Sequence, residues 1–159
     1  MKRSEINTLM KQAVKFLENQ KFYLPQFAYW SLENWKSKGE EIREILTNQL
    51  GWDITDFGSG DFNKKGLILF TVRNGNLKDL DTGGKNYCEK VMIVRENQLT
   101  PMHYHFQKNE DIINRGGGNL LVQLYNPTED SQLADTPVTV SMDGIKKTFD
   151  AGTIVKLEP

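Results

Sequence analysis

The sequence feature that constrains the fold most strongly is the series of short strand-like segments beyond Gly51, which are separated by turn residues. No helical pattern lies between these segments, which disfavours a parallel sheet and favours an antiparallel sandwich or barrel. Residues 73–76 (RNGN) predict a hairpin turn, and Asp143-Gly144 predicts a tight turn. The predicted strands cover residues 66–72, 86–95, 119–125, 137–142, 145–149 and 153–157.

The N-terminal part of the chain has a helical pattern instead. Apolar residues recur at helical spacing after Ser4, a good N-cap residue, and predict an amphipathic helix over residues 5–19. Ser31 is a second candidate N-cap, and residues 40–50 predict another short helix. This part is therefore expected to form a helical cap that does not carry the chemical site.

The length and the hydrophobic content of the chain are sufficient for one domain with a single hydrophobic core. The chain has 159 residues, 38% of them hydrophobic, and single domains commonly have about 100–200 residues. We therefore expect one domain with an N-terminal helical extension, residues 1–50, followed by a β-domain, residues 51–159.

Charge and cysteine usage exclude several classes of function. Twenty basic and 21 acidic residues give a net charge of -1, and no basic block is long enough to follow a phosphate backbone, so nucleic acid is excluded as a partner. No apolar stretch approaches the ~18 residues of a membrane span. Cys88 is the single cysteine and is interpreted as a small buried apolar residue, in keeping with a soluble, cytoplasmic protein.

The two histidines of the chain, His103 and His105, are separated by one residue. Residues i and i+2 of a strand face the same side, so both imidazoles are expected to point together into the barrel while Tyr104 points away. Glu110 is close enough in sequence for its carboxylate to join them. Such a set binds a divalent ion such as Mn²⁺, Fe²⁺ or Zn²⁺ and leaves positions open for water or substrate. The spacing alone is equally compatible with ordinary strand histidines that bind no metal.

The pattern around these residues resembles the first motif of the cupin superfamily, G-x5-H-x-H-x4-E-x6-G. His103, His105, Glu110 and Gly117 match it, and the opening glycine is replaced by Asn97. Asparagine tolerates the left-handed backbone conformation better than most residues, so the turn at this position can be kept.

Longer segments resemble the D-lyxose isomerase family of cupins: residues 24–30, 51–58, 89–94, 99–105 and 108–121. The resemblance implies a cupin-type antiparallel β-barrel, or jelly roll, and a homodimer that uses a divalent metal. Mn²⁺ is the expected ion, with Fe²⁺, Co²⁺ and Zn²⁺ as alternatives. The implied reaction interconverts D-lyxose and D-xylulose, and D-mannose and D-fructose, by proton transfer through a metal-stabilised enediolate.

The resemblance also implies roles for individual residues. His103, His105 and Glu110 would be the metal ligands. Lys108 would bind a sugar oxygen or stabilise the enediolate, and Lys90, on the preceding predicted strand, is a second candidate for the same catalytic work. A solvated lysine at a strand end is the alternative interpretation of Lys108.

The sequence departs from the cupin pattern after residues 153–157. A second cupin motif, with a third histidine, is expected beyond that point and is not found in the chain. Three explanations are open: a shortened fragment of a longer parent protein, a partner chain that completes the barrel, or a natural fragment that has lost activity. We expect weaker metal binding and little or no turnover by this chain, with the family's chemistry belonging to the parent protein.

Two other functions fit the same residues. A non-haem iron oxygenase also uses two histidines and a carboxylate with open coordination positions. A non-catalytic cupin would bind a sugar or a metal without turnover.

Overall fold

The computed structural model of the chain describes residues 1–106 and 108–159. The chain divides into two compact units, Met1–Pro101 and Met102–Pro159. In chain order, the first unit consists of α1 (Arg3–Asn19), a 3-10 helix (Gln26–Tyr29), α2 (Leu32–Lys36), a 3-10 helix (Glu40–Ile42), α3 (Arg43–Thr47), β1 (Gly51–Thr55), β2 (Leu67–Arg73), a 3-10 helix (Leu77–Thr82) and β3 (Glu89–Ile93).

The helical prediction for the N-terminal part is confirmed, although one of its two caps is wrong. Ser31 does cap α2, because its Oγ accepts a hydrogen bond of 3.2 Å from the backbone N–H of Asn34. Helix α1 begins at Arg3 and not after Ser4, since the carboxylate of Glu5 accepts a hydrogen bond from the backbone N–H of Lys2. The start of the helix is thus stabilised by the Glu5 carboxylate and not by the Ser4 side chain.

The core of the first unit lies between α1 and the sheet β1-β2-β3, in which both strand pairs are antiparallel. Leu9, Ala13 and Leu17 form the buried face of α1 and belong to two clusters that also contain Ile68 and Phe70 of β2. Phe70 is only 1% exposed. The i, i+4, i+8 spacing on the helix and the i, i+2 spacing on the strand are the periodicities that place each set on one face.

Trp52 of β1 packs against both clusters. Its ring meets that of Phe70 edge to face at 4.9 Å, and its Nε1 donates a 3.0 Å hydrogen bond to the carbonyl of Ala28. This side chain therefore secures the segment after α1 to the sheet, because its apolar body is half-buried while its polar atom is satisfied.

The hairpin turn predicted at residues 73–76 is wrong. Strands β2 and β3 do pair, but a longer connection that contains the 3-10 helix Leu77–Thr82 joins them. Asn74 and Asn48 each donate a side-chain hydrogen bond to the other's carbonyl, and the side chain of Asn76 caps the 3-10 helix by accepting from Lys78 N–H. The asparagines that suggested a tight turn have other partners.

The second unit is built of short antiparallel strand pairs. Its strands are β4 (Leu120–Gln123), β5 (Asn126–Pro127), β6 (Leu133–Ala134), β7 (Val138–Met142), β8 (Ile145–Phe149) and β9 (Ile154–Leu157). Strand β4 pairs with β9, β5 with β6, and β7 with β8. Asp143 and Gly144 join β7 to β8 with φ values of 50° and 81°, as the two-residue hairpin turn requires, so that prediction is confirmed.

The prediction of a mainly antiparallel β protein with N-terminal helices is confirmed, and the strand content is consistent with a β-sandwich or jelly roll. Within the described residues the strands pair as one three-stranded and three two-stranded sheets, without closing into a barrel. Cys88 is exposed, so its interpretation as a buried residue is wrong. No helix in the described parts of the chain has the length and apolar character to cross a bilayer.

Candidate metal centre

The segment that carries both histidines lies at the start of the second unit. Asn97, where the cupin motif has glycine, has a φ of 57°, so the predicted left-handed turn before this segment is present. The strand expected for His103 and His105 is wrong, because residues 102–106 and 108–118 pair with no strand in the described structure. Without a ladder of backbone hydrogen bonds, the position of these side chains depends on side-chain contacts.

His103, His105 and Glu110 come together in spite of the irregular backbone. Each offers one ligand atom, and these atoms all lie within 4.8 Å of one another. The Nε2 atom of His105 lies 3.0 Å from Oε1 of Glu110, and the rings of the two histidines meet at 5.2 Å with planes inclined by 76°. All three side chains are exposed, which differs from the enclosed site that we expected.

The geometry and chemistry of this group fit a divalent ion. Two donors that are each about 2.1 Å from a shared ion lie at most about 4.2 Å apart, so only a small contraction would bring the three atoms into coordination distance. Two neutral imidazoles and one carboxylate suit borderline ions such as Mn²⁺, Fe²⁺, Co²⁺ and Zn²⁺. The exposed setting leaves room for water or substrate oxygens.

Lys108 lies beside this group. Its Nζ donates a 2.7 Å hydrogen bond to Oε1 of Glu110, the oxygen that also lies next to His105. Partial burial raises the pKa of Glu110, but the hydrogen bond from Lys108 and the charges of Lys108, His105 and His103 outweigh it, so the pKa lies below its usual value. The carboxylate is therefore ionised near neutral pH, as a metal ligand must be.

Lys90 is exposed on β3, where its Cα is paired with that of Thr71. It belongs to the first unit, whereas the three candidate ligands and Lys108 belong to the second. Lys108 contacts the ligand group within the second unit, and a catalytic role for Lys90 stays a prediction.

Two contacts of the motif segment were missed from the sequence. The hydroxyl of Tyr104 donates a hydrogen bond to Oγ of Ser131. The side-chain amide of Asn114 donates to the carbonyls of Gly118 and Leu157, at 2.7 and 2.8 Å, which ties the end of the motif to β9. No local pattern reveals either contact, although the position of Tyr104 between two candidate ligands was a reason to look for its partner.

Comparison with known proteins settles the family. A family model described as D-lyxose isomerase matches residues 1–159 of the chain. The chain belongs to the D-lyxose isomerase family. A D-lyxose/D-mannose isomerase of Serratia proteamaculans is 45% identical over 164 aligned residues, which cover 100% of this chain and 70% of the relative. A D-lyxose/D-mannose isomerase of Escherichia coli O157:H7 is 44% identical over 160 residues, with the same coverage of both chains.

Membership of the D-lyxose isomerase family confirms the resemblance inferred from the motif segments and makes the chain a member of a sugar isomerase family. The three residues that the sequence singled out are the ones that the structure gathers, and their role as metal ligands stays a prediction.

Proposed function

We propose that the chain is a divalent-metal-dependent aldose–ketose isomerase that acts on D-lyxose and D-xylulose, and on D-mannose and D-fructose. The observation that carries this proposal is the convergence of His103, His105 and Glu110 within 4.8 Å in a chain that matches the D-lyxose isomerase family throughout. An isolated pair of surface histidines would need neither a nearby carboxylate nor a lysine beside it.

The chemistry asks for charge stabilisation and proton transfer. In the interconversion, a proton moves between C2 and C1 of the open-chain sugar while negative charge develops on the oxygens of these carbons. When bound by His103, His105 and Glu110, a divalent ion, which we propose to be Mn²⁺, would supply positive charge to stabilise an enediolate.

The residues of the chain supply binding and orientation. The ammonium of Lys108 lies 2.7 Å from Glu110 and has two further N–H groups with which to donate a hydrogen bond to a sugar oxygen. We propose this substrate-binding role for Lys108, and catalytic assistance by Lys108 and Lys90. A fixed positive group near the developing charge stabilises the transition state more than the neutral sugar.

The test is an assay of D-lyxose conversion to D-xylulose by the Mn²⁺-loaded chain, with the Serratia proteamaculans relative as a positive control. The chain has two histidines, whereas a second cupin motif would supply a third. We therefore expect a rate well below that of the relative, and product is followed over hours. Conversion that requires Mn²⁺ and is lost in His103→Ala supports the proposal. Conversion that persists without Mn²⁺, or that is retained in His103→Ala, contradicts it. Metal binding with no conversion of D-lyxose or D-mannose by the chain would place the catalytic activity in a longer protein or favour the non-catalytic binding function.

The oxygenase function is separated by a second assay. Oxygen consumption with Fe²⁺ and a sugar would support that function, whereas isomerisation with Mn²⁺ under nitrogen would support the isomerase.

We also propose that the chain is a cytoplasmic homodimer. Strands β1 and β3 are the edges of the three-stranded sheet within the described structure, and unpaired strand edges favour association with a second copy. Size-exclusion chromatography with light scattering tests this, since a monomer over a range of concentrations would contradict it.

A further inference from the structure

Tyr104 lies between the two candidate histidine ligands, and its side chain makes contacts of its own. The Tyr104 hydroxyl donates a hydrogen bond to Oγ of Ser131, and its ring meets that of Phe106 edge to face at 4.8 Å. Because residues 102–106 belong to no described strand, a bond between side chains has more influence on their backbone than it would have in a sheet.

Ser131 is itself held firmly in the turn that connects β5 to β6. Its N–H donates a 3.0 Å hydrogen bond to the carbonyl of Thr128, whose own N–H donates to the carbonyl of Gln132 at 2.8 Å. The N–H of Gln132 also donates to Oγ1 of Thr128 at 3.0 Å. Ser131 has a φ of 62°, a conformation that a non-glycine residue adopts only when its surroundings enforce it.

Strand β5, which leads into this turn, is also bonded to the connection between β6 and β7. The side-chain amide of Asn126 donates to Oγ1 of Thr136 at 3.1 Å and to the carbonyl of Pro137 at 3.0 Å. The hydroxyl of Ser131 is therefore presented from a well-connected part of the second unit.

We infer that Tyr104 is a positioning residue for the metal centre, which acts through Ser131. This inference rests on the proposed metal site. The backbone of Tyr104 continues directly into His103 and His105, so anchoring its side chain restricts the rotations that would carry the two imidazoles apart. A pre-ordered pair of ligands loses less conformational entropy when it binds an ion, and supporting hydrogen bonds of this kind contribute to metal affinity.

Removal of the bond from either side tests the inference, with Co²⁺ as the probe. Tyr104→Phe deletes the donor, and Ser131→Gly deletes the acceptor while keeping a residue that adopts positive φ without strain. We expect each variant to weaken Co²⁺ binding by about three- to tenfold, the effect of one lost hydrogen bond. The double variant should bind no more weakly than the weaker single variant, because both changes remove the same contact.

The visible absorption of the Co²⁺-saturated protein separates positioning from a general loss of stability. Tyr104→Phe should change the band shape at full occupancy, since coordination geometry determines it. Tyr23→Phe, at a 70% exposed tyrosine in the first unit, is the matched control and should leave affinity and spectrum unchanged.

Two results would overturn the inference. One is wild-type affinity and spectrum in both single variants, and the other is a double variant whose loss is the sum of the two single losses. Failure of the unaltered chain to bind Co²⁺ at all would instead refute the proposed metal site, and with it this role of Tyr104.

Discussion

The Nε2 atom of His105 lies 3.0 Å from Oε1 of Glu110, and Nζ of Lys108 lies 2.7 Å from the same oxygen. One carboxylate oxygen is thus shared between a candidate metal ligand and a candidate substrate-binding group. This connects metal affinity, the charge of Glu110 and the position of the lysine ammonium.

Removing the carboxylate charge should weaken metal binding. Glu110→Gln leaves two imidazoles and a neutral amide, and we expect Mn²⁺ affinity to fall by about 10-fold or more, because hard divalent ions prefer anionic oxygen donors. Isothermal titration calorimetry measures the change. Glu129→Gln replaces another exposed carboxylate of the second unit and should have no effect, whereas equal losses in both variants would contradict the ligand assignment.

Lys108 should control the pH range over which Glu110 is ionised. Burial raises the pKa of Glu110, while Lys108, by hydrogen bond and charge, lowers it below its ordinary value. In Lys108→Met the lowering contribution is removed, so the pKa should rise and the carboxylate should become protonated at a higher pH as the solution is acidified. Carboxyl ¹³C NMR titration of the metal-free protein reports this directly.

The matched control for that titration is Lys146→Met, at an exposed lysine of β8. It should leave the Glu110 titration where it is in the unaltered chain. A Glu110 pKa that does not move in Lys108→Met would show that the 2.7 Å hydrogen bond is not formed in solution.

Phe70 should dominate the stability of the first unit. It is 1% exposed, stacks on Phe27 at 5.4 Å and meets Trp52 edge to face. Truncation to alanine should lower the free energy of unfolding by about 3–5 kcal/mol, from lost burial and the resulting cavity. Urea denaturation followed by tryptophan fluorescence measures it. Phe106→Ala, at an 86% exposed phenylalanine, should change the value by less than about 0.5 kcal/mol.

The sequence predicted those parts of the fold that depend on residues close together in the chain. The spacing of Leu9, Ala13 and Leu17 predicted the buried face of α1, and Asp143-Gly144 predicted the turn between β7 and β8, because both patterns act over a few residues. The connection after β2 could not be predicted, since Asn74 bonds to Asn48, which is 26 residues away.

The residues that come together at the candidate site were identified from the sequence, but the backbone conformation around them was not. The spacing of His103, His105 and Glu110, together with the cupin motif around them, nominated the three residues that the structure gathers. Their irregular backbone was not foreseen, because strand formation depends on a pairing partner elsewhere in the chain. The contact of Tyr104 with Ser131 spans 27 residues and leaves no trace in the local sequence.

The turn at Gly144 offers a test of the second unit. A Cβ at this position would meet nothing within 4 Å, but its φ is 81°. Gly144→Ala should therefore destabilise by about 1 kcal/mol through backbone strain alone. Gly118→Ala, where a Cβ also meets open space and no positive φ is required, is the control, and thermal unfolding followed by circular dichroism compares them. Equal melting temperatures in both variants would contradict the strained-turn geometry.

The most direct test of the metal centre is the stoichiometry of Mn²⁺ binding to the unaltered chain and to His103→Ala, measured by calorimetric titration and by metal analysis after gel filtration. We predict one ion per chain in the unaltered protein and no stoichiometric ion in the variant. Full occupancy retained in His103→Ala would contradict the assignment of His103, His105 and Glu110 as the metal site.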